Sequence, residues 1–144
     1  MNFEISKNAE SISAQQIADL YQSVGYGDAS DYLSRPNFKQ RLTGPGVHGF
    51  FALDTETKEL IGLLRAFSDG IIVAWIAEVC VHPSCQRKGV GSALLLSCSR
   101  EFSNLALYAD SFTHTVEFFN SCGLKSKSIL VACSRAPFRR ELSS

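Results

Sequence analysis

The order of secondary-structure signals predicts a mixed α/β fold in which one sheet is covered by helices. Three observations carry this expectation: helical spacing before residue 46, a change to strand-length apolar runs after it, and a later alternation of helices with short strands. Phe3 and Ile5 alternate with polar neighbours and give a short first strand. Ser13-Ala14-Gln15-Gln16 reads as a capping box, because the Ser hydroxyl and the Gln amide can each serve a free backbone N–H of a first turn. Ile17, Leu20, Tyr21 and Val24 follow at helical spacing, and Gly25 supplies the stop. A second helix, broken by Pro36, is predicted between Asp28 and Leu42, before Thr43-Gly44-Pro45-Gly46 opens a loop.

Val47 to Leu53 and Leu60 to Phe67 are apolar runs of strand length separated by the polar stretch Asp54 to Glu59. Ser68-Asp69-Gly70 turns the chain into a third run, Ile71 to Val81, and the three predict an antiparallel meander. Gly89 to Ser103 reads as a helix, with Gly91, Leu94, Leu95, Cys98 and Phe102 on one apolar stripe that should pack flat on the sheet. Leu105 to Ala109 is predicted as a strand, Thr113 to Cys122 as a helix closed by Gly123, and Ser128 to Cys133 as a last strand. From Arg135 onward the chain is a polar, basic tail.

A chain of 144 residues, 45% hydrophobic and 19% charged, fits a single domain over residues 1–144 with a core that needs no covalent staples. Lys and Arg number 14 against 14 Asp and Glu, so no global positive field exists to hold nucleic acid or an anionic membrane. Cysteines stand at positions 80, 85, 98, 122 and 133, without a C-x-x-C pair or a His at zinc-ligand spacing, which predicts reduced thiols and no metal. The N-terminal residues show no secretory pattern, and the longest apolar run, Ile71 to Ala77, is too short to cross a bilayer. The expectation is a soluble, cytoplasmic protein without nucleic-acid or membrane partners, monomeric or homodimeric.

The chemistry concentrates between Val79 and Leu94, where Val79-Cys80-Val81 leads through His82-Pro83-Ser84-Cys85-Gln86-Arg87-Lys88 into Gly89-Val90-Gly91-Ser92. An apolar strand, a short basic turn and a glycine-bearing helix start form an anion site. A helix opens with unpartnered N–H groups and partial positive charge, and a phosphate docks there when the backbone is unobstructed. Gly89 and Gly91 remove obstruction, and Arg87 and Lys88 add full charges that suit a diphosphate. The chain has neither the G-x-x-x-x-G-K-[ST] phosphate loop nor the G-x-G-x-x-G dinucleotide fingerprint. The plain alternative is a basic turn before an ordinary helix.

Gln86-x-x-Gly89-x-Gly91, between Val79-Cys80-Val81-His82-Pro83 and Ser92-Ala93-Leu94-Leu95, resembles the acyl-CoA motif of the GNAT superfamily of N-acetyltransferases. The order of elements over residues 3 to 134 is also similar to that fold. The resemblance implies a largely antiparallel central sheet with one splayed parallel strand pair, flanked by about four helices. It further implies a pyrophosphate held by backbone amides from Arg87 through Lys88, Gly89, Val90 and Gly91 to Ser92. The pantetheine arm of acetyl-CoA would then pair like an added strand along Val79, Cys80 and Val81.

Acetyl transfer to an amine requires loss of a proton from the acceptor. Glu78 is the one charge in the run Ile71 to Val81 and precedes the implied pantetheine edge, which makes it the candidate general base. Its alternative role is a solvent-facing carboxylate or the partner of a neighbouring Arg. The family pattern Asn-x-x-Ala-x-x-Phe-Tyr-x-x-x-Gly places a proton-donating Tyr where this chain has Phe119, and Phe112 stands in the Asn place. Phe119 has no proton to give, so the thiolate leaves unassisted or is served by water, Tyr108, Asp110 or His114. Phe119 either packs against the pantetheine or fills core.

Cys80 and Cys85 read as buried small thiols rather than acyl carriers. His48 and His82 read as surface residues beside turns, and Trp75 and Ile76 as core. Tyr21, Tyr26, Tyr32 and Phe38 either pack the first helices together or wall an acceptor pocket suited to an apolar or aromatic amine. The function expected is direct transfer from acetyl-CoA to a small-molecule primary amine. A protein lysine or N-terminal amine is the alternative acceptor, and a non-catalytic acyl-CoA-binding regulator the alternative class.

Overall fold

The computed structural model describes residues 1–136. In chain order the elements are β1 (Phe3–Ser6), α1 (Ala14–Ser23), α2 (Ala29–Leu33), α3 (Phe38–Leu42), β2 (Val47–Asp54), β3 (Leu60–Ser68), β4 (Val73–Val81), α4 (Val90–Glu101), β5 (Ala106–Ala109) and α5 (Val116–Ser121). One five-stranded sheet runs β1-β2-β3-β4-β5. Its first three pairings are antiparallel, whereas β4 and β5 run parallel through the α4 crossover.

Local chemistry sets the helix ends. Ser13 Oγ accepts from Gln16 N–H at 3.1 Å while Gln16 Oε1 accepts from Ser13 N–H at 2.9 Å, which completes the capping box of α1. The broken second helix is two separate turns of helix. Pro36 removes a donor, and Asn37 reverses the backbone with φ 56° before α3 begins.

Each face of the sheet has its own core. On one face Phe50, Leu64, Ala74 and Ile76 meet Leu94, Leu95 and Cys98 of α4, so the apolar stripe read from the sequence lies flat on the strands. On the other, Phe51, Leu63 and Cys80 meet Ile17, Leu20 and Tyr21 of α1.

Four expectations are corrected. Ser128 to Cys133 forms no strand: Ile129, Leu130 and Val131 are exposed, and β5 pairs only with β4. Apolar, β-branched content favours a strand only where a neighbouring ladder receives it. The third strand of the meander starts at Val73, because the Asp69 carboxylate collects the N–H groups of Ile71, Ile72 and Val73 and holds the first two in the turn. Trp75 is not core, since its side of β4 is left bare at this end of the sheet. The predicted Thr113 to Cys122 helix begins as a 3-10 turn and is α-helical only over α5. Of the polar tail, residues 137–144 lie outside the described residues.

Candidate active site

Strand β4 pairs with β5 from Val73↔Ala106 to Ile76↔Ala109 and no further, while its pairing with β3 continues to Gly62↔Val81. The strands therefore part beyond Ile76, and the outer edge of β4 from Glu78 to Val81 is left open. Val81 presents its carbonyl on that edge, where Gln86 Nε2 donates to it at 3.1 Å. Polar groups of alternate strand residues share an edge, so Val79 faces the same gap. Cys80 turns its backbone to β3 and its buried thiol into the α1-side core. Burial, then the charge of Glu78, raises that thiol far above its ordinary 9.0, which keeps it protonated and unsuited to carry an acyl group.

The turn into α4 is built from the side chains the sequence singles out. His82 Nδ1 accepts from Ser84 N–H at 3.1 Å and closes a short 3-10 turn over Pro83–Cys85. Gln86 ties the far end of that turn to β4, so its amide serves the loop's geometry. Arg87 and Gly89 both take positive φ, 61° and 84°, which bends the chain sharply into α4. The first intrahelical bond of α4 is Ala93 N–H to the Gly89 carbonyl at 3.0 Å, and no side chain caps the helix. The amides of Val90, Gly91 and Ser92 thus precede the helical ladder.

A Cβ at Gly89 would meet nothing within 4 Å, so no described side chain crowds the backbone at this point, and Arg87 and Lys88 beside it are exposed. Gly91 works differently. A Cβ there would meet Phe118 at 3.4 Å and Val81 at 3.7 Å, ordinary contact distances, so Phe118 of α5 packs beside it. Phe119, edge-on to Phe118 with ring centroids 5.2 Å apart, packs against the α4-side core.

Glu78 sits where β4 leaves β5. Tyr21 Oη donates to its Oε1 at 2.7 Å, and Arg65 Nε donates to the same oxygen. Arg65 also donates from Nη1 to the Leu42 carbonyl at 3.2 Å, and its guanidinium lies 5.7 Å from the Phe67 ring centroid. Oε2 of Glu78 has no partner among the described residues. Burial, then the negative Glu78, pushes the Tyr21 phenol well above its ordinary 10.0, so it donates a hydrogen bond and keeps its proton.

These features stand together at one corner of the sheet: an open strand edge, the uncapped start of α4, and a carboxylate held by two donors. The profile of the Acetyltransferase (GNAT) family matches residues 14–124. The chain belongs to this family. Among curated proteins, the GNAT chain is 37% identical over 87 residues to the probable acetyltransferase TAP2 of Glycine max, covering 57% of this chain and 32% of the relative. It is 38% identical over 76 residues to the histone acetyltransferase TAP1 of Glycine max, covering 49% of this chain and 32% of the relative. The chain thus spans about a third of the length of these relatives. A GNAT family protein of Streptococcus pneumoniae has the same fold, with a TM-score of 0.70 at 22% identity over 97% of this chain and 98% of that one.

Within this GNAT fold, Arg65 is the neighbouring Arg that the sequence left unnumbered as a partner for Glu78, and Tyr21, left between helix packing and an acceptor-pocket wall, is its second donor. Arg65 had a legible signal: it is the one charge in the apolar run Leu60 to Phe67, as Glu78 is in Ile71 to Val81, and the two face each other in the strand register. For Tyr21 the contact with Glu78 had none, because only packing of α1 on the sheet aims its hydroxyl. The alternative acids scatter. Tyr108 stacks on Trp75 at 5.4 Å, His114 stacks on Phe112 at 5.5 Å, and Asp110 is exposed. His48 lies on β2 itself, edge-on to Phe102 at 5.1 Å. A separate concavity of about 140 Å³ beside Lys7, His48 and Glu101 contains none of the site residues.

Proposed function

We propose that this GNAT protein transfers the acetyl group of acetyl-CoA to a primary amine by direct attack in a ternary complex. The observation that carries the reading is Glu78, with Oε1 fixed by Arg65 and Tyr21 and Oε2 unpartnered, beside the open edge of β4 and the uncapped start of α4. The fit of the residues to the co-substrate rests on the start of α4, which no side chain caps and where a Cβ at Gly89 would meet no described atom within 4 Å. Amides of Val90, Gly91 and Ser92, with Arg87 and Lys88, would hold its diphosphate, and the open edge at Val79 and Val81 its pantetheine amides. Acetyl-CoA supplies an activated acyl group and a thiolate leaving group.

The chain's own part is to bind, orient and move protons. Glu78 Oε2, directly or through a water, accepts the proton that the acceptor ammonium must lose before its nitrogen attacks the thioester carbonyl. Backbone N–H groups along Val79–Val81 stabilise the negative charge that develops on the carbonyl oxygen. Phe119 has no proton to give, so the thiolate departs without help from that position.

A small-molecule acceptor is the first reading. The relation to the histone acetyltransferase TAP1 supports a second, a protein lysine or N-terminal amine. A panel of small amines and lysine-bearing peptides, followed by release of free thiol from acetyl-CoA, separates them. Acetyl-CoA binding without thiol release to any acceptor would instead support a non-catalytic regulator. Glu78→Gln is expected to lower thiol release near neutral pH by about a hundredfold or more while leaving acetyl-CoA affinity nearly intact. Full activity in that variant removes Glu78 from the mechanism. The free cysteines support a reducing, cytosolic setting for this activity.

A further inference from the structure

The face of the sheet that carries Glu78 is covered by α1 only as far as Tyr21, and among the described residues the strand positions beyond it are exposed. There Phe67 of β3, Trp75 of β4 and Tyr108 of β5 are direct register partners, so the three rings form a row across three strands. They are 46%, 40% and 41% exposed, whereas Ala66 and Ala74, which point to the opposite face, are fully buried. Trp75 and Tyr108 are stacked, 5.4 Å between centroids at 20°. Single exposed apolar residues are ordinary on a protein surface, but the stacked Trp75–Tyr108 pair, with Phe67 in register beside it, presents an aromatic strip, bordered by the Arg65 guanidinium 5.7 Å from the Phe67 ring centroid.

This row is continuous with the proposed catalytic corner because of one irregularity. Trp75 and Glu78 are three residues apart, which in a regular strand would place them on opposite faces. The register shifts between Arg65 and Ala66, with Arg65↔Glu78 and Ala66↔Ile76, so Ala77 is an extra residue in β4. This bulge returns Glu78 to the face of Trp75. Their partners on β3, Arg65 and Phe67, are two residues apart, which separates the carboxylate from the aromatic row by about 7 Å along the strand. A ring joined to an amine by a short carbon linker spans such a gap.

We propose that the acceptor is an arylalkylamine, its ring against the Phe67–Trp75–Tyr108 row and its amine at Glu78 Oε2. This inference rests on the acetyltransferase reading and names the substrate class of that site. The ring finds flat apolar surface with the geometry for offset or edge contact, and the ammonium finds the one carboxylate oxygen that Arg65 and Tyr21 leave free.

Trp75 is the sole tryptophan of the chain, so its emission reports directly on this surface. Titration of the intact protein with phenylethylamine is expected to change Trp75 emission saturably, at concentrations about tenfold lower than hexylamine requires. Trp75→Ala is expected to raise the KM for phenylethylamine about tenfold with acetyl-CoA affinity unchanged, and Trp75→Leu, which keeps apolar bulk, to raise it less. Equal response to the two amines, or an unaltered KM in Trp75→Ala, overturns the proposal. So does emission that shifts with protein concentration alone, which would mean that a second copy covers the row. A saturable, aryl-selective emission change without thiol release supports the aromatic site and removes the transfer reading, so the two fail separately.

Discussion

Glu78 receives both of its donors on one oxygen, and this asymmetry gives the residue a fixed position and a free acceptor at once. Tyr21 is 2% exposed, so its hydroxyl has no water to fall back on, and a hydrogen bond to a charged partner contributes more than a neutral one. Tyr21→Phe is expected to lower unfolding stability by about 1.5–3 kcal/mol, read as a reduced urea midpoint at unchanged m. The pH dependence has a definite sign. The folded phenol titrates far above its ordinary 10.0, because burial and then Glu78 oppose its ionisation. Its contribution is complete below pH 10 and is lost as pH rises beyond, once the unfolded phenol ionises and the folded one does not. Tyr21→Phe should therefore flatten the alkaline limb of the stability curve, and an identical limb would show that Tyr21 is not the coupled group.

The turn from β4 into α4 joins two jobs that the sequence pattern shows as one. Gln86 and His82 hold the turn through Val81 and Ser84, and α4 starts directly after it with no side chain on its first amides. Gly89 is needed for its backbone, since its φ of 84° is one that side chains rarely adopt. Gly89→Val is expected to weaken acetyl-CoA binding about tenfold or more, measured by calorimetry, with a folded far-UV spectrum retained. Affinity equal to that of the unaltered protein would mean that the diphosphate lies elsewhere. At Gly91 a larger side chain would press on Phe118 instead, so a substitution there disturbs α5 as well as the amides.

For the molecule as a whole, one sheet separates two cores, and buried weak acids lie in both. Burial, then Glu101, pushes the Cys98 thiol from its ordinary 9.0 up to about 12, and Cys80 on the opposite face is raised further. Thiols that ionise in the unfolded chain near pH 9 but not in the folded one stabilise the fold fully below that pH and progressively less up to about 12. Urea midpoints are expected to fall steadily from pH 9 upward, and less steeply in Cys98→Ala. In native protein at neutral pH, Cys133 should react with a thiol reagent well before Cys80, Cys85 and Cys98, which become available only on unfolding. Prompt labelling of all five would show that the cores open readily.

Sequence alone determined the parts of this protein that depend on neighbours along the chain. The Ser13 capping box, the break at Pro36, the stripe of α4 and the glycine-bearing turn after Val81 all follow from contacts within a few residues, so patterning and cap chemistry were enough to locate them. Tertiary structure decided what depends on which strands meet. The parting of β4 from β5 after Ile76, the extra residue at Ala77 and the packing of α1 bring Tyr21, 57 positions away in the chain, onto Glu78. The apolar segment Ser128 to Cys133 makes the same point in reverse. A strand exists only where another backbone pairs with it, and local preference cannot supply that partner.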